Sequence, residues 1–241
     1  GVLEATLHSN GAFLTLHAPP KNKPQTKFAA AFAAIAGDPD NRVVLLTGTG
    51  DSFSGPRKSP EQFLIGDTTT WERVRREGVR LLTNFLDIDA LVVTCINGPA
   101  LRHAELALLG AIVLADTRAV VQDSAHFPNR TAPGDGINIV LPLLMGINRA
   151  KYMMLTGKSM DATELQAAGV VSEVLPPDRE LARGRELAAQ LARNNPLTIR
   201  YTKLLLRRMI RKEVQETLEY SLSMEAFAAV DESIARQAGR R

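Results

Sequence analysis

Three short runs rich in apolar and β-branched residues, Val43–Thr47, Leu91–Ile96 and Ile112–Ala115, constrain the fold of this chain more than any other feature. Each has the length of a strand and lacks the strict polar alternation of a strand with one face in water, so each reads as a strand covered on both faces. Helical stretches stand between them: Phe28–Ala36 before the first, the amphipathic Trp71–Leu86 between the first and second, and Ala100–Leu109 before the third. Strands recurring with intervening helices require right-handed crossovers and a largely parallel sheet, which makes the fold class α/β. A hairpin of Val2–His8 and Ala12–His17 opens the chain around Ser9-Asn10-Gly11, because Asn-Gly tolerates the positive φ of a tight turn. Short strands are expected at Ala119–Val121 and Val170–Val174.

After Pro133-Gly134-Asp135-Gly136 the pattern turns helical, through Ile137–Met145, Arg149–Thr156 and Ala162–Ala168. Asp178–Asn194, Pro196–Met209 and Val214–Ala235 follow as helices with brief breaks, so the chain divides into a core, 1–177, and a helical region, 178–241. Hydrophobic residues are 45% and charged residues 23% of the sequence, the balance of an ordinary soluble domain. The net charge of +3 is small and comes largely from Arg207, Arg208, Arg211, Lys212, Arg240 and Arg241, so nucleic acid is not implied as a partner. No apolar run approaches the roughly 20 residues of a membrane helix. Cys95 is the single cysteine, which excludes an intrachain disulfide and makes the cytoplasm the expected location.

The segment from Asp123 through His126 to Asp135 is a loop between strand and helix, rich in Pro and Gly, with a His and an Asp nine residues apart. Loops placed by a sheet commonly carry catalytic groups. A carboxylate accepting from one imidazole nitrogen sets the tautomer and basicity of the other, which can then take a proton from water near neutral pH. The plainer reading is that Asp135 caps the next helix and His126 lies on the surface. His103, on the helix after Asn97-Gly98-Pro99, could hold a carbonyl oxygen or be a core histidine bonded to backbone. Glu225 stands among apolar neighbours in Met224–Ala228, which suggests partial burial, though such glutamates commonly face solvent.

Several stretches share the text of one family: Val43 to Ser54, Cys95-Ile96-Asn97-Gly98-Pro99-Ala100, Pro133-Gly134-Asp135-Gly136, Leu155-Thr156-Gly157 followed by Asp161-Ala162, and Ala168 to Val174. In this order, through most of the chain, they resemble the crotonase (enoyl-CoA hydratase/isomerase) superfamily, and that resemblance implies its ββα superhelix with a C-terminal helical extension. A typical hydratase has a glycine run where Arg102-His103-Ala104 stands here, a catalytic glutamate where His126-Phe127-Pro128 stands, and a second glutamate near Gly146–Asn148. These departures are similar to the β-diketone hydrolase branch typified by 6-oxocamphor hydrolase. By that resemblance His103, His126, Asp135 and Glu225 form the active-site set, with His126, oriented by Asp135, taking a proton from water. It implies C–C bond hydrolysis of a small-molecule diketone with no metal or organic cofactor, in a homotrimer or dimer of trimers built on the helical region. The segment Ala18–Lys27 is about five residues shorter than in that branch and lacks its aromatic and His, which implies a different substrate pocket. Two rivals remain: an acyl-CoA hydratase or isomerase, in which Asp123 and Arg130 could serve, and a non-catalytic scaffold of the same fold.

Overall fold

The structure, a computed structural model, describes residues 4–8, 11–16, 24–38, 40–48, 50–55 and 67–239, with side chains from residue 28 onward. The hairpin turn at residues 9–10 and segment 17–23, with the expectation of a shortened pocket wall, lie outside the described residues. Strands β1 (Glu4–His8) and β2 (Gly11–Leu16) pair antiparallel and lead into α1 (Pro24–Ala36). Then come β3 (Val43–Gly48), α2 (Thr68–Asp87), β4 (Leu91–Ile96), the short α3 (Ala104–Leu108), β5 (Ile112–Asp116) and β6 (Val120–Val121). A 3₁₀ turn at Phe127–Asn129 precedes α4 (Ile137–Met145), α5 (Ile147–Thr156), β7 (Met160–Asp161), α6 (Ala162–Ala167), β8 (Glu173–Leu175), α7 (Arg179–Leu191) and α8 (Pro196–Gln237).

The main sheet runs β1-β2-β3-β4-β5-β8, parallel from β2 onward. Its central strands are apolar throughout because both faces are covered. Val44, Leu46, Val92 and Ile96 face a large core with α1, α2 and α4, while Val43, Leu45, Leu91, Val93 and Cys95 pack with Leu181, Leu187 and Leu191 of α7. At about 1.5–3 kcal/mol for each large aliphatic side chain buried, this two-sided burial dominates the stability of the sheet.

Two of the shared sequence stretches turn out to bind each other. The Asn97 amide accepts from Gly48 N at 3.0 Å and donates to the Gly48 and Gly50 carbonyls at 3.1 and 2.7 Å. Pro99 O receives Phe53 N and Ser54 N, and Ala100 N donates to Val120 O at 2.7 Å. This pairing holds residues 100–101 extended, so the helix expected over Ala100–Leu109 is confined to Ala104–Leu108. The break expected between Pro196–Met209 and Val214–Ala235 is absent: α8 is one helix of 42 residues. Ile210, Arg211, Lys212 and Glu213 include no glycine or proline, and a polar patch alone does not stop a helix. The last helices pack on the rest of the chain: α7 covers one face of the sheet and α8 packs on α2 and α4. Among the described residues no helix is long and apolar enough to cross a membrane.

Candidate active site

The loop after β6 is fastened before it reaches α4. Ser124 Oγ donates to Leu101 O at 2.5 Å, and the Asn129 amide donates to the carbonyls of Ser124 and Ala125 at 2.6 and 3.2 Å. Thr131 Oγ1 donates to Glu225 O at 3.3 Å, which ties the loop to α8. Next, Gly134 passes so close to α8 that a Cβ there would collide with Ser221 O and Glu225 Cβ. Gly136, at φ 114°, turns the chain into α4 against Leu82. This glycine pair lets a loop carboxylate, Asp135, reach the same point as a helix carboxylate, Glu225.

His126 is buried, at 4% exposure, not on the surface. Its Nδ1 lies 2.7 Å from Asp123 Oδ1. The partner expected to orient it, Asp135, is on the other side of the ring: Asp135 Oδ2 lies 3.6 Å from Nε2, and Glu225 Oε1 lies 3.5 Å from the same nitrogen. Asp123 therefore orients His126, and its Oδ1 also accepts from Ala125 N at 3.3 Å, which folds residues 123–126 of the loop onto each other. His103 is held by carboxylates. Its Nδ1 lies 2.9 Å from Glu105 Oε1 and 3.3 Å from Asp135 Oδ2. A single oxygen of Asp135 thus stands between the two imidazoles. The other, Oδ1, accepts from Ile137 N at 3.4 Å, although the N-cap of α4 is Gly136 and not Asp135. Glu225 is 7% exposed and points inward.

His103 does not sit on a helix as expected. It precedes α3 in the left-handed region, at φ 48° and ψ 42°, a conformation that costs a non-glycine residue roughly 1–2 kcal/mol. In a regular helix residues two apart do not face each other. The left-handed turn is what brings the ring of residue 103 onto the carboxylate of residue 105.

Four carboxylates, Glu105, Asp123, Asp135 and Glu225, thus surround two imidazoles; His126, Glu105, Asp123 and Glu225 are buried, while His103 and Asp135 are partly exposed. Burial opposes charging His126, but Asp135, Asp123 and Glu225 outweigh it and raise its pKa well above the usual value. His103 is raised in the same way, burial being outweighed by Glu105 and Asp135. For Asp135, burial is outweighed by the two imidazoles and the Ile137 N–H, and its pKa falls. Burial dominates at Glu225 and pushes it up, and burial with the nearby Asp135 charge lifts Glu105 to about 7. Glu105 Oε2, Asp123 Oδ2 and Glu225 Oε2 are buried without a protein hydrogen-bond partner among the described residues. A small cleft opens onto the cluster, lined by Arg102, His103, Asp123, His126 and Asp135 among others. His103, Glu105 and Asp135 also offer ligand atoms within 4.8 Å of one another, a spacing that could hold a metal ion.

A family model described as enoyl-CoA hydratase/isomerase matches residues 10–239. The chain belongs to that family. The carnitinyl-CoA dehydratase of Salmonella arizonae is 30% identical over 93% of the chain and 88% of its own length. Among solved structures, ABDH, a beta-diketone hydrolase from the cyanobacterium Anabaena sp. PCC 7120 bound to (S)-3-oxocyclohexyl acetic acid, superposes with a TM-score of 0.90. It is 33% identical, with 95% of this chain and 94% of that one covered. An enoyl-CoA hydratase/isomerase from Mycobacterium paratuberculosis has a TM-score of 0.86 at 23% identity, covering 96% and 94% of the two chains, which bears on the fold alone. This enoyl-CoA hydratase/isomerase family member therefore has the crotonase fold with a polar cluster drawn from four parts of the chain. The residues singled out from the family resemblance, His103, His126, Asp135 and Glu225, converge within it. Glu105 and the orienting role of Asp123 escaped the sequence reading. The available signals were the His103-Ala104-Glu105 spacing and an Asp three residues before a His in a loop, both too common to single out.

Proposed function

We propose that this protein hydrolyses a C–C bond of a cyclic β-diketone by a retro-Claisen reaction. One observation carries the reading: Asp135 Oδ2 lies between His103 Nδ1, at 3.3 Å, and His126 Nε2, at 3.6 Å. Two imidazoles on one carboxylate suit a reaction that must hold an oxyanion and move a proton at neighbouring points. The likeness to ABDH supports it, since the ligand of that structure is a keto acid, the product class of such a cleavage.

Water attacks one carbonyl carbon, and its proton passes to the group formed by His126 Nε2, Asp135 and Glu225, which titrates as a unit. His103 donates a hydrogen bond to the developing oxyanion. The C–C bond to the carbon between the carbonyls then breaks, its electron pair passing into an enolate on the second carbonyl. The proton held by the cluster returns to that carbon, leaving a carboxylic acid and a ketone. Asp123 keeps the His126 ring in place. Arg102, lining the cleft, supplies positive charge near the acid product.

The test is turnover of the bicyclic 1,3-diketone whose ring opening gives (3-oxocyclohexyl)acetic acid. His126→Ala is expected to lower kcat by about 10²–10⁴-fold, the usual contribution of an acid–base group. An unchanged kcat would refute the assignment. A second reading, an acyl-CoA hydratase or dehydratase, is favoured by the carnitinyl-CoA dehydratase relatives. It requires micromolar binding of acetyl-CoA in a calorimetric titration. We also propose that copies of the chain assemble as a trimer, or a pair of trimers, through α8. Its Tyr201, Leu205, Leu206 and Met209 are 56%, 73%, 66% and 73% exposed, a run of apolar surface that a second copy would cover.

A further inference from the structure

The mechanism above gives Glu105 no task, yet at 1% exposure it is the most deeply buried acid of the cluster. Its Oε1 lies 2.9 Å from His103 Nδ1, while Oε2 is buried without a hydrogen-bond partner among the described residues. Asp135 Oδ2 approaches the same nitrogen to 3.3 Å. His103, Glu105 and Asp135 each offer an atom within 4.8 Å of the others, and all three line the same cleft. An imidazole nitrogen flanked by two carboxylate oxygens is a donor set for a divalent first-row metal ion.

We propose that His103 Nδ1, Glu105 and Asp135 bind one divalent first-row metal ion, with its remaining coordination positions toward the cleft. The likeness to diketone hydrolases implies no metal, so the site stands on these three residues alone. It rests on the diketone reading only for what the open positions take, a substrate carbonyl oxygen or the product carboxylate. The spacing suits an ion. Metal bonds of roughly 2.0–2.2 Å to histidine nitrogen and carboxylate oxygen put neighbouring ligand atoms about 3.0 Å apart in a six-coordinate shell and about 3.3 Å apart in a tetrahedral one. The two measured edges, 2.9 and 3.3 Å, match those values. The charge suits it too. Four carboxylates face two imidazoles, with Arg102 in the cleft, so the ionised acids outnumber the positive groups even with both rings protonated. Buried carboxylates that lack matching cations cost free energy, and a bound divalent ion removes that cost. Asp123 and Glu225 face His126 instead, and the Ile137 N–H holds the other oxygen of Asp135, as the carboxylate ligands of metal sites are commonly held.

The untagged full chain, freed of metal by dialysis against EDTA, can be titrated calorimetrically with zinc chloride in wild type, Glu105→Gln and Asp135→Asn. Wild type is expected to bind one Zn²⁺ per chain with micromolar affinity. Each variant is expected to bind at least about tenfold more weakly, since even the outer partners of metal ligands are worth that much. A readout that needs no variant is NMR of the wild type with Mn²⁺ added below one equivalent, which is expected to broaden the His103 ring signals through the nearby unpaired electrons. Absence of zinc binding in wild type, or equal zinc affinity in the folded Glu105→Gln variant, overturns the proposal. So does a His103 ring left sharp by Mn²⁺. If diketone is cleaved but zinc does not bind, the metal site alone falls; if zinc binds as expected and no diketone is cleaved, the metal site stands and the diketone reading falls.

Discussion

At the scale of single residues, the shifted groups of the cluster tie stability to pH, with a sign for each group. Glu105 in the folded protein titrates at about 7, above the ordinary 4.5. The folded state thus binds this proton more tightly than the unfolded chain does. That contribution to stability is full below about pH 4.5 and is lost as the pH rises through about 7. His103, His126 and Glu225, also raised, act in the same direction, whereas Asp135, which is lowered, contributes stability that is lost as the pH falls. Glu105→Gln removes one of these dependences. Its melting temperature relative to wild type is expected to rise between about pH 5 and pH 8 in thermal denaturation scans. A residue kept only for packing and hydrogen bonding would give a constant difference.

At the scale of elements, the long runs of one type were the legible part. The paired strands β3 and β4 and the helix α4 lie where apolar runs and flanking glycines place them, because two-sided burial leaves an unbroken apolar text. The continuity of α8 was not legible, since the polar run at 211–213 looks the same in an exposed helix turn as in a loop. Its helical state has a measurable consequence. Lys212→Gly is expected to be about 1 kcal/mol less stable than Lys212→Ala in denaturant unfolding, the glycine penalty of a helix interior. Equal stabilities would mean that the helix breaks there. The left-handed turn at His103 was equally hidden, because nothing local favours it: the extended pairing of Ala100 with Val121 and the Glu105 carboxylate hold it from outside.

For the whole molecule, the helices after residue 178 have two faces in different surroundings. Inward, α7 closes the second face of the sheet and α8 carries Glu225 into the cluster. Outward, α8 exposes Leu205 and Met209 and α5 exposes Tyr152 and Leu155, more apolar surface than a single copy needs to leave in water. Sedimentation analysis is expected to find a particle of at least three times the 26.2 kDa chain mass. Met209→Glu together with Leu205→Glu should reduce it to single copies, and a monomeric wild type would remove the assembly proposal. Because Glu225 sits on the inward face of this same helix, loss of assembly is expected to weaken activity through the placement of that carboxylate.

The sequence by itself determined the sheet, its parallel sense and the family, because apolar runs and turn motifs act locally and repeat in a fixed order. It also brought forward four polar residues that the fold gathers. Only the tertiary structure decided which atom meets which. Asp123, not Asp135, sits on His126 Nδ1, Asp135 is shared between two rings, and Glu105 belongs to the cluster. The reason is physical: strand and helix type follow from the period of burial along the chain, whereas hydrogen-bond partners depend on ångström distances between loops brought together from positions up to about a hundred residues apart.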